Sequence, residues 1–480
     1  MADTLFFYLC QLLAHIKTGR QTIPVFFVFI EFNMIAETTP MVDAERLKAQ
    51  AEGILQGNIL PGGYSVPSKK LYPYQWNWDS GFVAMGFAHF DEEQAISELE
   101  NLFKGQWENG MVPHIVFHSK KREGYFPGPD YWQSSKVPYS SKEVETSGIS
   151  QPPVHGFILE RMLQISPDSD LLIGFAKAFF QKIVKLHRFY YEHRDPNHEG
   201  LAYIFHPWAS GRDNSPLWDD ILKSMKILPG DLPPYERYDN KIADPSERPS
   251  QLDYDCYVYL MELGKKYGYV SESISNESPF LVQDTLFNAV LIKSNDSLIR
   301  LGKRFGFDTA EIEEWNKQSR RAYDQKLWVE ELEMYAPFDM RNHRHIMLKE
   351  IGTYVSLFAG IPDNKRARKL RNNLYDVADR PEGFRVVPSF DIDHWIFDPK
   401  KYWKGPIWPQ MNWLIYHGLR DYGFIGTAKR VKYDFLDLVN KLGFHEYFDP
   451  RTKVADSLEH GYGGDHFSWT AAVVLDLIAD

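Results

Sequence analysis

Residues 195–249, DPNHEGLAYIFHPWASGRDNSPLWDDILKSMKILPGDLPPYERYDNKIADPSERP, separate the architectures open to this chain. The stretch is rich in Gly, Pro, Ser and aromatics, and helical text stands on both sides of it. Residues 168–193 repeat apolar side chains at spacings of three and four, and 250–266 also read as a helix. Residues 106–151 form a second stretch of the same character. Loops this long inside a compact domain are usually functional.

Outward from there the sequence is mostly helical. Residues 43–56 begin at Asp43, suited to an N-cap. Residues 308–327 open with Asp308 and Glu311 in a capping-box pattern. Residues 427–442 place Ala428, Val431, Phe435, Leu438 and Leu442 on one stripe and stop at Gly443, a natural C′ residue. Residues 92–105, 152–165, 281–303, 363–377, 409–421 and 468–479 complete about a dozen helices, with few alternating strands. No short repeat supports a solenoid. An irregular bundle and a toroid of paired helices both fit, and the long loops distinguish them. In a toroid they gather at one mouth and build a pocket there.

Composition narrows the function. The 480 residues carry a net charge of −11, which disfavours nucleic acid as a partner. Aromatics make up 15%, compatible with a large core and also with a carbohydrate site, where rings pack on sugar C–H faces. Two distant cysteines, Cys10 and Cys256, exclude a disulfide framework and a thiolate zinc site, and suit a reducing compartment. His343 and His345 sit among Arg341, Asn342 and Arg344 and read as a solvated face; no metal or cofactor is expected. The apolar runs 5–13 and 24–32 are each too short for a membrane span and lack the basic start of a signal peptide. Residues 1–40 are taken as a leader and 41–480 as one catalytic domain. A cytoplasmic location and a homodimer are the expectations, the latter on base rates alone.

Four segments mix aromatics with carboxylates or amides. In YPYQWNWDSGF (72–82), Asp79 opens an apolar helix; it is an N-cap, or an acceptor for two adjacent hydroxyls beside a Trp76 platform. In GMVPH (110–114), His114 is a structural histidine or a pocket donor, and Gln151 is a helix start or a pocket amide. In HPWASGRDNSP (206–216), Arg212 and Asp213 are a surface pair or site residues. Trp208 and Trp218 flank them, and apolar neighbours raise a carboxyl pKa toward that of a general acid. The fourth group is YWKGPIWP (402–409), HEYFDP (445–450) and GGDHFSW (463–469), with Glu446 among aromatics.

In their order, WNWDSGF, GMVPH, SGRDNSP, YWKGPIWP, HEYFDP and GDHFSWTAAVVL resemble glycoside hydrolase family 63 from about residue 60 to the end. The short spacing between them is similar to the family's compact hydrolases of mannosylglycerate and glucosylglycerate. The resemblance implies an all-α (α/α)6 toroid and inversion at the anomeric carbon. It implies Asp213 as general acid and Glu446 as general base. Tyr72, Trp76, Asp79, His114, Gln151, Trp403 and Trp408 match sugar-facing positions. Arg248 and Tyr254, in ERPSQLDYD, resemble residues that hold glycerate, with Tyr402 at the same end. Arg212 is a further candidate for substrate contact, and residues 115–150 are expected to close over the substrate with Tyr125 in the lid. An α-glucosidase or trehalase-like hydrolase of a neutral disaccharide is the alternative within the class. A non-catalytic sugar-binding toroid, or an isomerase or lyase using His114 or His466, are alternatives outside it.

Overall fold

The computed structural model describes residues 43–118, 125–380, 383–452 and 461–480. The expected leader, 1–40, and residues 119–124 of the expected lid lie outside these. Helices α1 Ala44–Gly57, α2 Asn77–Phe87, α3 Glu92–Phe103, α4 His155–Ile165 and α5 Asp170–His193 come first. Then follow α6 Gln251–Lys266, α7 Thr285–Phe305, α8 Ala310–Lys326 and α9 Val355–Phe358. The last are α10 Asn364–Ala378, α11 Pro409–Asp421, α12 Ile425–Leu442 and α13 Ser468–Ala479.

Contacts among the described residues close a ring. Helix α2 packs on α4, α4 on α7, α7 on α9, α9 on α11, α11 on α13, and α13 back on α2. An outer helix covers most of these: α1 on α13, α3 on α2, α5 on α4, α8 on α7 and α12 on α11, while α10 lies against α12. Apart from α6, which belongs to the excursion between α5 and α7, outer and inner helices alternate along the chain. The architecture is therefore an all-α (α/α)6 toroid. Side-chain chemistry explains the sorting. Helix α2 is buried at every position and α13 from Ser468 to Leu477, as a helix surrounded by protein must be. Outer α10 buries only Ala367, Leu370 and Leu374, one narrow stripe. Inner helices approach closely: a Cβ on Gly86 of α2 would lie 2.6 Å from the Ala472 Cβ of α13.

Side-chain caps open six of these thirteen helices. Asp43 accepts the Arg46 N–H at 3.0 Å, and Ser250 and Asp253 form a capping box on α6. Two expectations move, and one inner helix was not expected. Helix α8 begins at Ala310 with Thr309 as N-cap and no side-chain cap; Asp308 instead accepts the Ala310 N–H at 3.0 Å. Helix α7 starts at Thr285, because Val282–Gln283 pairs with Phe338–Asp339 and Asp284 takes the cap. The inner stave α9, entered through the 3-10 turn Ile351–Tyr354, is too short to leave a periodic signature.

The inner helices open at their N-terminal ends onto one mouth. Trp76 precedes α2, Gln151 lies just before α4, Trp408 precedes α11 and Phe467 precedes α13, and all four line one pocket. Short ladders trim the rim. Strand β1 Gln75–Trp76 pairs with β2 Ile115–Phe117, and β2 pairs with β3 Glu145–Thr146. Strand β4 His445–Tyr447 pairs with β5 Tyr462–Asp465 with an irregular register at Glu446. No helix among the described residues is long and apolar enough to cross a membrane.

Candidate active site

The segment that presents Asp213 is fixed residue by residue. The Ser210 hydroxyl donates to the Pro207 carbonyl at 2.6 Å and accepts the Arg212 N–H at 2.9 Å. Gly211 has φ +71°, and a Cβ there would stand 2.7 Å from the Trp78 ring. The Tyr257 hydroxyl donates to the Asp213 carbonyl at 2.8 Å, and Asn214 Oδ1 accepts the Trp403 N–H at 3.0 Å. The Asp213 carboxylate faces the pocket, 3.4 Å from the Tyr402 hydroxyl.

Glu446 comes from the opposite wall. The irregularity in the β4–β5 ladder aims its side chain into the pocket, as bulges do. It accepts the Gly464 N–H at 3.1 Å and the Tyr72 hydroxyl at 2.9 Å. Tyr72 and Tyr402 hydroxyls are 3.4 Å apart, so two hydroxyls bridge the carboxylates. Contacts of 2.9, 3.4 and 3.4 Å bound the separation, and their total is close to the upper end of the ~6.5–9.5 Å typical of inverting glycosidases.

Burial acts on all three pocket carboxyls. It raises Asp213 to about 6, opposed by the Arg248 charge and the Tyr402 hydrogen bond. It raises Glu446 to about 7, against the Arg248 charge and the Gly464 and Tyr72 hydrogen bonds, with Asp213 adding a further upward push. Asp79 is driven well above the usual range by burial, and Glu446, Asp213 and Glu98 add to this. Glu446 stands the higher of the two, because it is buried where Asp213 is partly exposed. Asp79 is not an N-cap, since Trp76 holds that position without a side-chain cap.

Arg248 is buried at 4% exposure. It donates to the Tyr72 hydroxyl at 3.2 Å and to Asp239 at 3.3 Å, and lies 4.4 Å over the Tyr402 ring. Asp239 also accepts from Arg237 at 2.7 Å, and Arg237 stacks 3.9 Å over Tyr254. Arg237, Asp239 and Arg248 together carry one more positive than negative charge. Asp239 and Arg237 escaped the sequence reading although Tyr235 and Tyr238 stand beside them, because only the fold brings them to Arg248.

The aromatic walls complete the pocket. Trp403 and Trp408 stack at 3.8 Å, and Tyr125 meets Trp76 edge-on at 5.5 Å. His114 pairs with the Ser147 hydroxyl at 2.5 Å, and burial keeps its pKa well below the usual range, so the ring is neutral. Gln151 accepts the Trp78 N–H at 3.3 Å. Tyr72, Trp76, Asp79, His114, Tyr125, Gln151, Asp213, Arg248, Tyr254, Tyr402, Trp403, Trp408 and Glu446 all line one cavity. Arg212 does not. Its side chain turns away from the mouth, fully buried, and pairs with Asp284 and Glu350. His466 also lies outside the cavity, exposed beside Asp465. Trp78, Phe467 and Trp469 line the cavity unforeseen, since each reads as helix core. Among the described residues no group of three or more His, Cys, Asp or Glu is placed to hold a metal ion.

Known proteins carry the same framework. The mannosylglycerate hydrolase MGH1-like glycoside hydrolase domain matches residues 72–470. A mannosylglycerate hydrolase of Rubrobacter radiotolerans is 38% identical over 438 residues, 91% of this chain and 97% of its own. A glucosylglycerate hydrolase of Mycolicibacterium hassiacum is 32% identical over 454 residues, covering 91% and 98%. The crystal structure of a GH63 mannosylglycerate hydrolase from Thermus thermophilus with Tris and D-glycerate superposes with a TM-score of 0.82 at 40% identity, covering 89% of this chain and 99% of that one.

Proposed function

This chain belongs to the MGH1-like glycoside hydrolases of family 63, and on that premise we propose that it cleaves mannosylglycerate, and also glucosylglycerate, to free hexose and glycerate with inversion. The observation that carries the proposal is the facing pair Asp213 and Glu446 with the net-positive Arg237–Asp239–Arg248 group beside them.

In the proposed reaction Asp213 gives its proton to the glycosidic oxygen as the bond to the anomeric carbon breaks. Glu446 takes a proton from the water that attacks the opposite face of the ring. The hexose leaves with the inverted anomeric hydroxyl, and glycerate leaves with the proton from Asp213. Trp403 and Trp408 present faces for sugar C–H groups, and Asp79 and Gln151 meet hydroxyls. Arg248 grips the glycerate carboxylate, for which a guanidinium offers two parallel donors. That carboxylate belongs to the leaving group and so lies on the Asp213 side. Its charge raises Asp213 more than Glu446 and puts the shared proton on the acid. A neutral disaccharide supplies no such charge and leaves the net-positive Arg237–Asp239–Arg248 group without a substrate anion. Of the two cysteines Cys256 is a buried free thiol, which supports a cytoplasmic site of action.

NMR of the purified protein with synthetic mannosylglycerate tests the proposal: the inverted anomer of mannose appears first. Arg248→Ala raises KM for mannosylglycerate about 10–100-fold, the worth of a charge-assisted hydrogen bond, and changes KM for methyl α-mannoside little. Equal effects on both substrates remove the glycerate assignment.

A further inference from the structure

Arg212 is chemically conspicuous for a residue outside the pocket. It is a fully buried guanidinium next in sequence to the general acid, and it serves no ligand. We infer that Arg212 is a positioning residue that aims the Asp213 carboxyl at the leaving-group oxygen; the inference rests on the hydrolase reading above.

The fork divides between two staves of the inner ring. One arm donates to Asp284, the N-cap of α7, and the other to Glu350, the cap of the turn that leads into α9. Both carboxylates are themselves tied to backbone: Asp284 accepts the Phe287 N–H at 3.1 Å and Glu350 accepts the Gly352 N–H at 2.9 Å. The anchor points are thus as rigid as the ring. Space is reserved for the fork as well, since a Cβ on Gly352 would stand 2.6 Å from Arg212 Nη1. The Arg212 carbonyl accepts the Trp218 indole N–H at 2.8 Å, so the backbone on which Asp213 sits is gripped from both sides of the peptide.

By contrast, the Asp213 carboxylate has one hydroxyl contact, at 3.4 Å. Its aim therefore depends on its backbone. Consecutive Cα atoms are about 3.8 Å apart, so a shift at Arg212 reaches Asp213 almost undiminished. Removing one member of a buried ion group leaves unpaired charge and moves its neighbours.

A leaving group that departs without a proton separates this role from a merely structural one. α-Mannosyl fluoride releases fluoride as the anion, while Glu446 still takes the proton of the attacking water. Arg212→Lys reaches both carboxylates poorly, and kcat on mannosylglycerate falls about 100-fold, the cost of a misplacement near 1 Å, with KM within about threefold of the parent. Turnover of α-mannosyl fluoride stays close to the parental rate. Glu350→Gln removes one charged anchor while leaving Arg212 balanced by Asp284; it shows the same selectivity and decides the question if the Lys variant does not fold. A loss of equal size on both substrates, or parental rates on both from a folded variant, overturns the positioning role. Asp213→Asn is the benchmark. If it too loses both substrates equally, Asp213 is not the acid, and the hydrolase assignment fails at that residue together with the role of Arg212.

Discussion

Replacing Glu446 by Gln is expected to abolish activity and to stabilise the protein, by an amount that depends on pH. Glu446 is 1% exposed, and burial raises its pKa from 4.5 to about 7. As pH rises the unfolded chain loses this proton first, near 4.5, while the folded chain holds it to about 7. Below 4.5 both states are protonated and the folded state bears no penalty. Between the two values the penalty grows, and above about 7 it is complete. About two and a half pH units at about 1.4 kcal/mol each give about 3.5 kcal/mol, an upper bound because Gln weakens the bonds from Gly464 and Tyr72. At roughly 2.1 cal/mol/K of unfolding entropy per residue, a chain of this length gains at most about 3.5 °C in Tm. Differential scanning calorimetry of Glu446→Gln and parent from about pH 4.5 to 8.5 checks the sign. The two curves coincide at the acid end and separate as pH rises, while kcat falls by about 10³-fold. A Tm difference that is flat with pH, or negative at the alkaline end, would show that burial of an ionised carboxylate is not what shifts this group.

Two further outcomes follow from the same geometry. The pH profile of kcat/KM is a bell whose limbs belong to the Asp213–Glu446 pair, with apparent values near 6 and 7: acid fills both carboxyls and base empties both. Rates that stay level from about pH 5 to 9 contradict a shared proton. Gly211→Ala strains a left-handed backbone and drives a Cβ against Trp78. A cost of roughly 1–2 kcal/mol from the backbone alone, plus the clash, lowers Tm and displaces Asp213; unchanged kcat in this variant contradicts the tight loop described above.

Asp213 and Glu446 were legible as candidate pocket carboxyls because each stands in a motif with aromatic neighbours, whereas helix count left an irregular bundle open and the toroid was implied by the resemblance to family 63. Arg212 was misplaced for a physical reason. In a loop without period, sequence does not tell which way consecutive side chains face, and Arg212 and Asp213 face opposite ways. The partners of Arg248 were hidden because Asp239 and Arg237 lie nine and eleven residues away in a polar stretch, and only the fold brings their charges together. The order of the two pocket pKa values was beyond reach as well, since it depends on depth of burial, which a glutamate beside aromatics suggests but does not measure.

The excursion between α5 and α7 carries Asp213, Arg237, Asp239, Arg248 and Tyr254, while the hexose side of the cavity is assembled from segments near residues 72–79, 151, 403–408 and 446. On the proposed reading, recognition of the departing half is written mostly on one ribbon, Tyr402 excepted, and recognition of the retained half is scattered over several segments. A lineage can exchange its aglycone by rewriting a single passage, whereas a new sugar demands coordinated edits at many stations. Chemical diversification on this scaffold has an easy axis and a hard one.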